Sequence, residues 1–305
     1  MRKMVSESNG NIPNLLDRPI FVIGCNRSAT TLLFNNLSEH PKVWSYYEEN
    51  QHVFYRHHPI HPERGDRLSD PPRPDVAAAI VTQLYREAHN KEALRDLPIL
   101  GRIPRKAIQR PVSRLYKSPP IRLVEKTPAN SLRVPFLSAL FPDAKFIFLL
   151  RRAEDVISSL MEGWKIWTGT GDSPWIYDRW HYLVPPGWQE WTGRPLEEIC
   201  TFQWLESNRI ARDDLEVHCP GRYLVVRHED ALATPRRVYR EILQFCELPP
   251  SPSLDRLLAS QEERVFTHGG SAPLPDKWRT LHGEEIERMR PTFEGLMSEL
   301  YPEGP

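Results

Sequence analysis

The chain has 305 residues, enough for one large α/β domain with a substantial core. Lysine plus arginine and aspartate plus glutamate both number 40, so the formal net charge is zero, which excludes whole-protein attraction to nucleic acid or another polyanion. Four cysteines without metal-ligand spacing read as free thiols in a reducing compartment. With no signal-peptide core and no run of 18 apolar residues, the expectation is a cytoplasmic protein without a transmembrane segment.

Residues 1–17 are polar and read as a flexible N-terminus. From Pro19 a short apolar run ends at Gly24. A tight polar loop, Cys25-Asn26-Arg27-Ser28-Ala29, then opens onto an apolar-periodic segment that starts at Thr30-Thr31 and closes at His40-Pro41. This is the pattern of strand, anion-cradling loop and helix. Amides at a helix start lack intrahelical partners and lie at the positive end of the dipole. Ser28, Thr30 and Thr31 add hydroxyl donors, and Arg27 adds a charge, so the loop suits a phosphate or a group shaped like one. A nucleotide-triphosphate loop would need glycine at 29 and lysine at 30, where the chain has Ala29 and Thr30; only Thr31 fits. That disfavours a metal-dependent kinase or ATPase. Ala29 is expected to keep φ below zero, as a helix start permits.

Further along, residues 43–49 form a β-prone run ending in Glu48-Glu49, and residues 51–74 read as loop. The histidines at 57, 58 and 61 match no metal-ligand spacing, so no metal is expected. A helix is expected over 76–90, and Arg102 to Arg122 is a basic run without an acid that suits a solvated face or peripheral membrane contact. Residues 121–124 read as a strand delivering Glu125-Lys126-Thr127-Pro128, followed by a helix over 130–141 despite Pro135. Residues 145–150 are the clearest buried strand, ending at Arg151-Arg152 before a helix from 153 to 161. Residues 162–195, rich in Trp, Tyr, Gly and Pro, are read as a lid on the acceptor side. Helix 196–218, strand 222–226, helix 235–246 and a last amphipathic helix over 284–300 complete the chain. Strands alternating with helices imply one doubly wound, P-loop-like, mostly parallel sheet flanked by helices. Its ligand belongs at the strand carboxyl ends, and the candidate groups follow Ile23, Val124, Leu150 and Val226.

The loop at 24–31 resembles the 5′-phosphosulfate loop of the PAPS-dependent sulfotransferases, P-R-S-G-T-T, with Asn26 for the proline and Ala29 for the glycine. Arg151 and Ser159, an arginine after a strand and a serine eight residues on, resemble the same family's 3′-phosphate motif. Arg227-His228-Glu229-Asp230 resembles its Y-E-D segment, with His228 where a ring flanks the adenine. The resemblance extends over most of 19–160 and 222–247, and its motifs are nearest those of the tyrosylprotein and bacterial branch that uses a glutamate base. It implies PAPS (3′-phosphoadenosine 5′-phosphosulfate) as donor, held by residues 25–31, Arg151, Ser159 and His228, with adenosine 3′,5′-bisphosphate (PAP) as product and no metal.

The general base implied is Glu48 by ungapped counting from Arg27, or Glu49 if one residue is inserted. Val43, Tyr46 and Tyr47 would supply the partial desolvation that raises a carboxyl's pKa. Lys126, resembling the K-x-P lysine of that branch, and Arg27 are expected to neutralise the leaving oxygen. The acceptor implied is a hydroxyl of a small molecule, glycan or lipid; the oligomeric state is not legible. The alternatives are a P-loop kinase and a catalytically silent binding protein of the same fold.

Overall fold

The computed structural model of the protein describes residues 12–46, 49–95, 119–167, 180–262 and 276–302, with side chains described for all of these except 89–95, 167 and 260–262. Among them, five strands form one parallel sheet: β1 (Ile20–Ile23), β2 (Trp44–Ser45), β3 (Leu123–Lys126), β4 (Lys145–Leu150) and β5 (Tyr223–Arg227). Their spatial order is β2-β3-β1-β4-β5, with β1 at the centre. The chain leaves β1 toward one edge and later crosses it to build the other, so the order reverses beside β1. At such a point the loops diverge and open a crevice at the strand carboxyl ends.

The period-2 alternation of the strands sorts the core into two layers. Ile20, Val22, Val124, Ile147 and Leu149 face α1 (Thr30–Leu37), α8 (Pro235–Phe245) and α9 (Pro252–Glu262). Phe21, Ile23, Phe146, Phe148 and Leu150 face the other layer. That layer is built from α3 (Pro74–Arg95), α4 (Val134–Leu140), α5 (Ala153–Trp167), α6 (Leu196–His218) and α10 (Lys277–Leu300). Two short helices, α2 (Gln51–Tyr55) and α7 (His228–Ala233), carry the chain past the ends of β2 and β5.

Several expectations are corrected here. Strand β3 runs to Lys126 rather than stopping at Val124, pairing Phe21 with Glu125 and Val22 with Lys126. The charged pair does not end the strand because Glu125 finds buried donors in Thr127 and Asn130. The expected helix over 130–141 is a 3-10 turn at Pro128–Leu132 and then α4, broken at Arg133. Pro135 lacks an amide hydrogen, so the helix restarts with that proline in its first turn. The last helix begins at Lys277, ahead of 284, with non-helical backbone at His282. In addition to these corrections, the described rings of the aromatic stretch pack inward: Trp164, Trp180 and Trp188 are buried in the larger layer, and Trp191 stacks on Phe202. Residues 168–179 of that stretch, and 102–118 of the basic run, lie outside the described residues. Arg122 of that run is buried and donates to the Cys246 carbonyl, which makes it a structural residue.

Candidate active site

The loop after β1 is shaped by two tight approaches. At Gly24 a Cβ would lie 2.5 Å from the Leu149 carbonyl oxygen, so no larger residue fits there, and its amide donates to the Ser131 hydroxyl at 2.9 Å. The loop then turns through Arg27 and Ala29, at φ 69° and 67°. Ala29 therefore occupies the left-handed region, against the expectation of negative φ. It stands where the related loop has glycine, and the turn geometry overrides the Cβ penalty, a strain of about 1–2 kcal/mol.

Within this loop the side chains divide by task. The Ser28 hydroxyl is fully buried and has no hydrogen-bond partner among the described residues, and Thr30 is buried beside it. A buried hydroxyl without a partner is costly unless something fills the space, and an anion seated on the first-turn amides of α1 would satisfy it. The Cys25 thiol faces the core: burial pushes its pKa up to about 12 and its nearest acceptor is the Gln203 carbonyl. Only its backbone is available to a ligand. Asn26 turns its Oδ1 to the Leu183 amide at 3.1 Å, a bond that proline at this position could not make. Thr31 is exposed at the start of α1.

The second clamp meets the first. Arg27 Nε donates to Ser159 Oγ at 3.0 Å, and Arg151 Nη1 donates to the Arg27 carbonyl at 3.0 Å. Arg27 thus links Ser159 on α5 to Arg151 at the end of β4. Arg151 Nε is buried with no partner among the described residues, a second donor lacking an acceptor at this point. The Trp204 indole holds the Arg151 carbonyl, and Asp155, one helical turn on, lies 3.9 Å from the guanidinium. His228 lies near enough to Arg151 to feel its charge. Burial first, and that charge second, push its pKa down to about 3, so the ring is neutral. Glu229 accepts from the Arg152 amide and from the Tyr301 hydroxyl, which ties the ends of β4 and β5 together.

Across the crevice, Lys126 Nζ and Glu49 Oε1 form an ion pair at 2.7 Å, with the lysine side chain 8% and the glutamate 39% exposed. Glu48 lies outside the described residues. His40 is buried, with Nε2 on the Pro249 carbonyl at 2.8 Å; burial lowers its pKa, and it serves to close α1. Among the described residues no group of three or more His, Cys, Asp or Glu is placed to hold a metal.

Behind Lys126 lies a buried polar chain that the sequence did not disclose. Arg133 and Asp66 are paired at 2.8 Å with side chains 1% and 0% exposed. Asp66 also accepts from the Tyr55 hydroxyl and from the Val184 amide, each at 2.8 Å. The guanidinium of Arg133 lies over the rings of Phe54 and Tyr55. The one local hint is Arg133, the single charged residue in the stretch from 129 to 141.

The fold is a doubly wound α/β sheet, with the loop after β1 and the Arg151–Ser159 segment after β4 adjoining at the strand carboxyl ends. The chain belongs to the sulfotransferase family, whose sequence model matches residues 19–252. An uncharacterized protein from Aquifex aeolicus is 25% identical over 236 residues; the match covers 76% of this chain but only 26% of that protein's length. The crystal structure of sulfotransferase STF9 from Mycobacterium avium superposes with a TM-score of 0.53 at 16% identity, covering 93% of this chain and 77% of that one. A mouse sulfotransferase in complex with PAP aligns over 95% of this chain and 87% of its own, at 12% identity and a TM-score of 0.45. The similarity to STF9 shows the shared fold.

Proposed function

We propose that the protein transfers the sulfuryl group of PAPS to a hydroxyl of a small molecule, glycan or lipid, without a metal and in the cytoplasm. The observation that carries this reading is the junction of the clamps, Arg27 to Ser159 and Arg151 to the Arg27 carbonyl, beside the partnerless Ser28 hydroxyl. One ligand with an anion at each end would engage both. The loop amides, Ser28, Thr30 and Thr31 would hold the 5′-phosphosulfate. Arg151 and Ser159 would take the 3′-phosphate, and the neutral His228 ring would lie against the purine. The donor supplies an activated S–O bond whose cleavage leaves PAP.

The chain's own groups would position and neutralise. Lys126 would place a positive charge at the bridging oxygen as it leaves, and Arg27 would bridge the two clamps. A carboxylate, Glu48 or Glu49, would take the acceptor's proton as its oxygen bonds to sulfur. Glu49 is the described carboxylate beside Lys126. Removing Lys126 should raise the barrier by ~3 kcal/mol, by analogy with an oxyanion-hole donor. Residues 162–195 would border the acceptor, with Asn26 joining the donor loop to that wall at Leu183.

The test is incubation with ³⁵S-labelled PAPS and a panel of alcohols, glycans and lipid extracts in the presence of EDTA. The expected result is a labelled product whose formation PAP inhibits. Turnover of ATP that needs Mg²⁺ and ignores PAP would overturn the reading.

A further inference from the structure

Resting on that reading, we propose that Thr127 and Glu125 are positioning residues for the Glu49–Lys126 pair, acting through the backbone amide of Asn50. Lys126 sits on β3 between them. Glu125 is fully buried, and its two oxygens take hydrogen bonds from the Thr127 hydroxyl and from Asn130 Nδ2, each at 2.5 Å. The Asn50 amide, next after Glu49 in the chain, donates to the Thr127 hydroxyl oxygen at 3.0 Å.

The direction of the first two bonds in this chain is fixed by Arg133, which can only donate, and that of the rest by an ionised Glu125. Arg133 Nη1 donates to Asn130 Oδ1 at 3.3 Å, so Asn130 must present its NH₂ group to Glu125. Burial raises the Glu125 pKa, while the Thr127 hydrogen bond and the Lys126 charge oppose that shift; ionised, Glu125 accepts on both oxygens. The Thr127 hydrogen is committed to Glu125, and the lone pairs of its oxygen are left for the Asn50 amide. Asp66, buried and paired with Arg133, anchors the far end. The order Arg133, Asn130, Glu125, Thr127, Asn50 therefore holds Glu49 to β3 by its backbone, while the ion pair holds it by its side chain. Such a double tether fixes both the distance and the approach of the carboxylate to Lys126. Reacting groups displaced by ~1 Å lose ~10²-fold in rate.

The experiment compares Thr127→Val, which keeps the shape and removes the hydroxyl, with Thr127→Ser, which keeps the hydroxyl. Sulfate release from ³⁵S-PAPS is measured with water as the acceptor, and PAP affinity by calorimetry. The expected outcome is a fall of ~10²-fold in kcat for Thr127→Val with PAP affinity unchanged, and recovery in Thr127→Ser. Glu125→Gln, which can accept from only one of Thr127 and Asn130, should show a loss of the same sign confined to kcat. It serves if Thr127→Val does not fold. Equal kcat in Thr127→Val and Thr127→Ser, or a PAP affinity that falls in step with kcat, would overturn the inference alone. A wild-type protein that binds PAP but releases no sulfate would also count against it. Failure of the wild type to bind PAP would instead sink the donor reading.

Discussion

The two sides of the crevice are held in different ways. The proposed donor side is made of short motifs at strand ends: residues 24–31 after β1, and Arg151 with Ser159 after β4. Its contacts are a few hydrogen bonds among partly exposed groups such as Arg27 and Arg151. The opposite side, around Lys126, rests on a buried polar chain whose members come from residues 50, 55, 66, 125–133 and 184. A nucleotide's anions need only amides and a few cations near a helix start, which a local sequence can supply. A fixed carboxylate–ammonium pair needs a frame, and here the frame is assembled from segments far apart in the chain. Residues 183–184 touch both sides, through Asn26 and through Asp66.

The largest effect expected from breaking this contrast is on stability. Arg133→Met removes one partner of a buried ion pair and leaves Asp66 uncompensated, which should cost about 3–5 kcal/mol. Urea unfolding would show it, and a loss below about 1 kcal/mol would mean that the frame does not depend on this pair. On the donor side the corresponding effect is pH-dependent. Because the folded pKa of His228 lies near 3, below its unfolded value of 6.5, the unfolded chain binds the extra proton between those values. Stability from this group is thus complete above pH 6.5 and is lost as pH falls toward 3. His228→Tyr keeps a ring that does not titrate in this range. Its melting temperature should fall less between pH 7.5 and 5 than that of the wild type. The smallest effect is at Ala29: glycine accepts φ 67° without strain, so Ala29→Gly should stabilise by up to about 1 kcal/mol in the same unfolding assay. A loss of stability there would show that the loop is not strained.

How much the sequence disclosed follows the same division. The strand–loop–helix at 19–40 was legible because its pattern is local to one strand, one loop and one helix, as was the end of β4 at Leu150. The left-handed Ala29 was not, because the closure of the loop, rather than residue type, sets its backbone. Strand β3 was read two residues early because Glu125 and Lys126 look like solvent-facing charges until Thr127 and Asn130 are placed beside them. The Asp66–Arg133 pair spans 67 residues and leaves no periodic trace in either segment. Helices α2, α7 and α9 were missed because they are short and begin in loop-like or proline-rich sequence, where local pattern gives no sustained period.

The central claim, that adjoining clamps hold both anionic ends of one nucleotide, is tested most directly by calorimetric titration in EDTA with PAP and with adenosine 5′-monophosphate. A charge-assisted hydrogen bond contributes ~1.5–3 kcal/mol, so PAP should bind at least ~10-fold more tightly than the monophosphate. Arg151→Ala should abolish most of that difference while leaving the weaker ligand's affinity unchanged. Equal affinity of the wild type for the two nucleotides, or a preference that survives the loss of Arg151, would contradict the account.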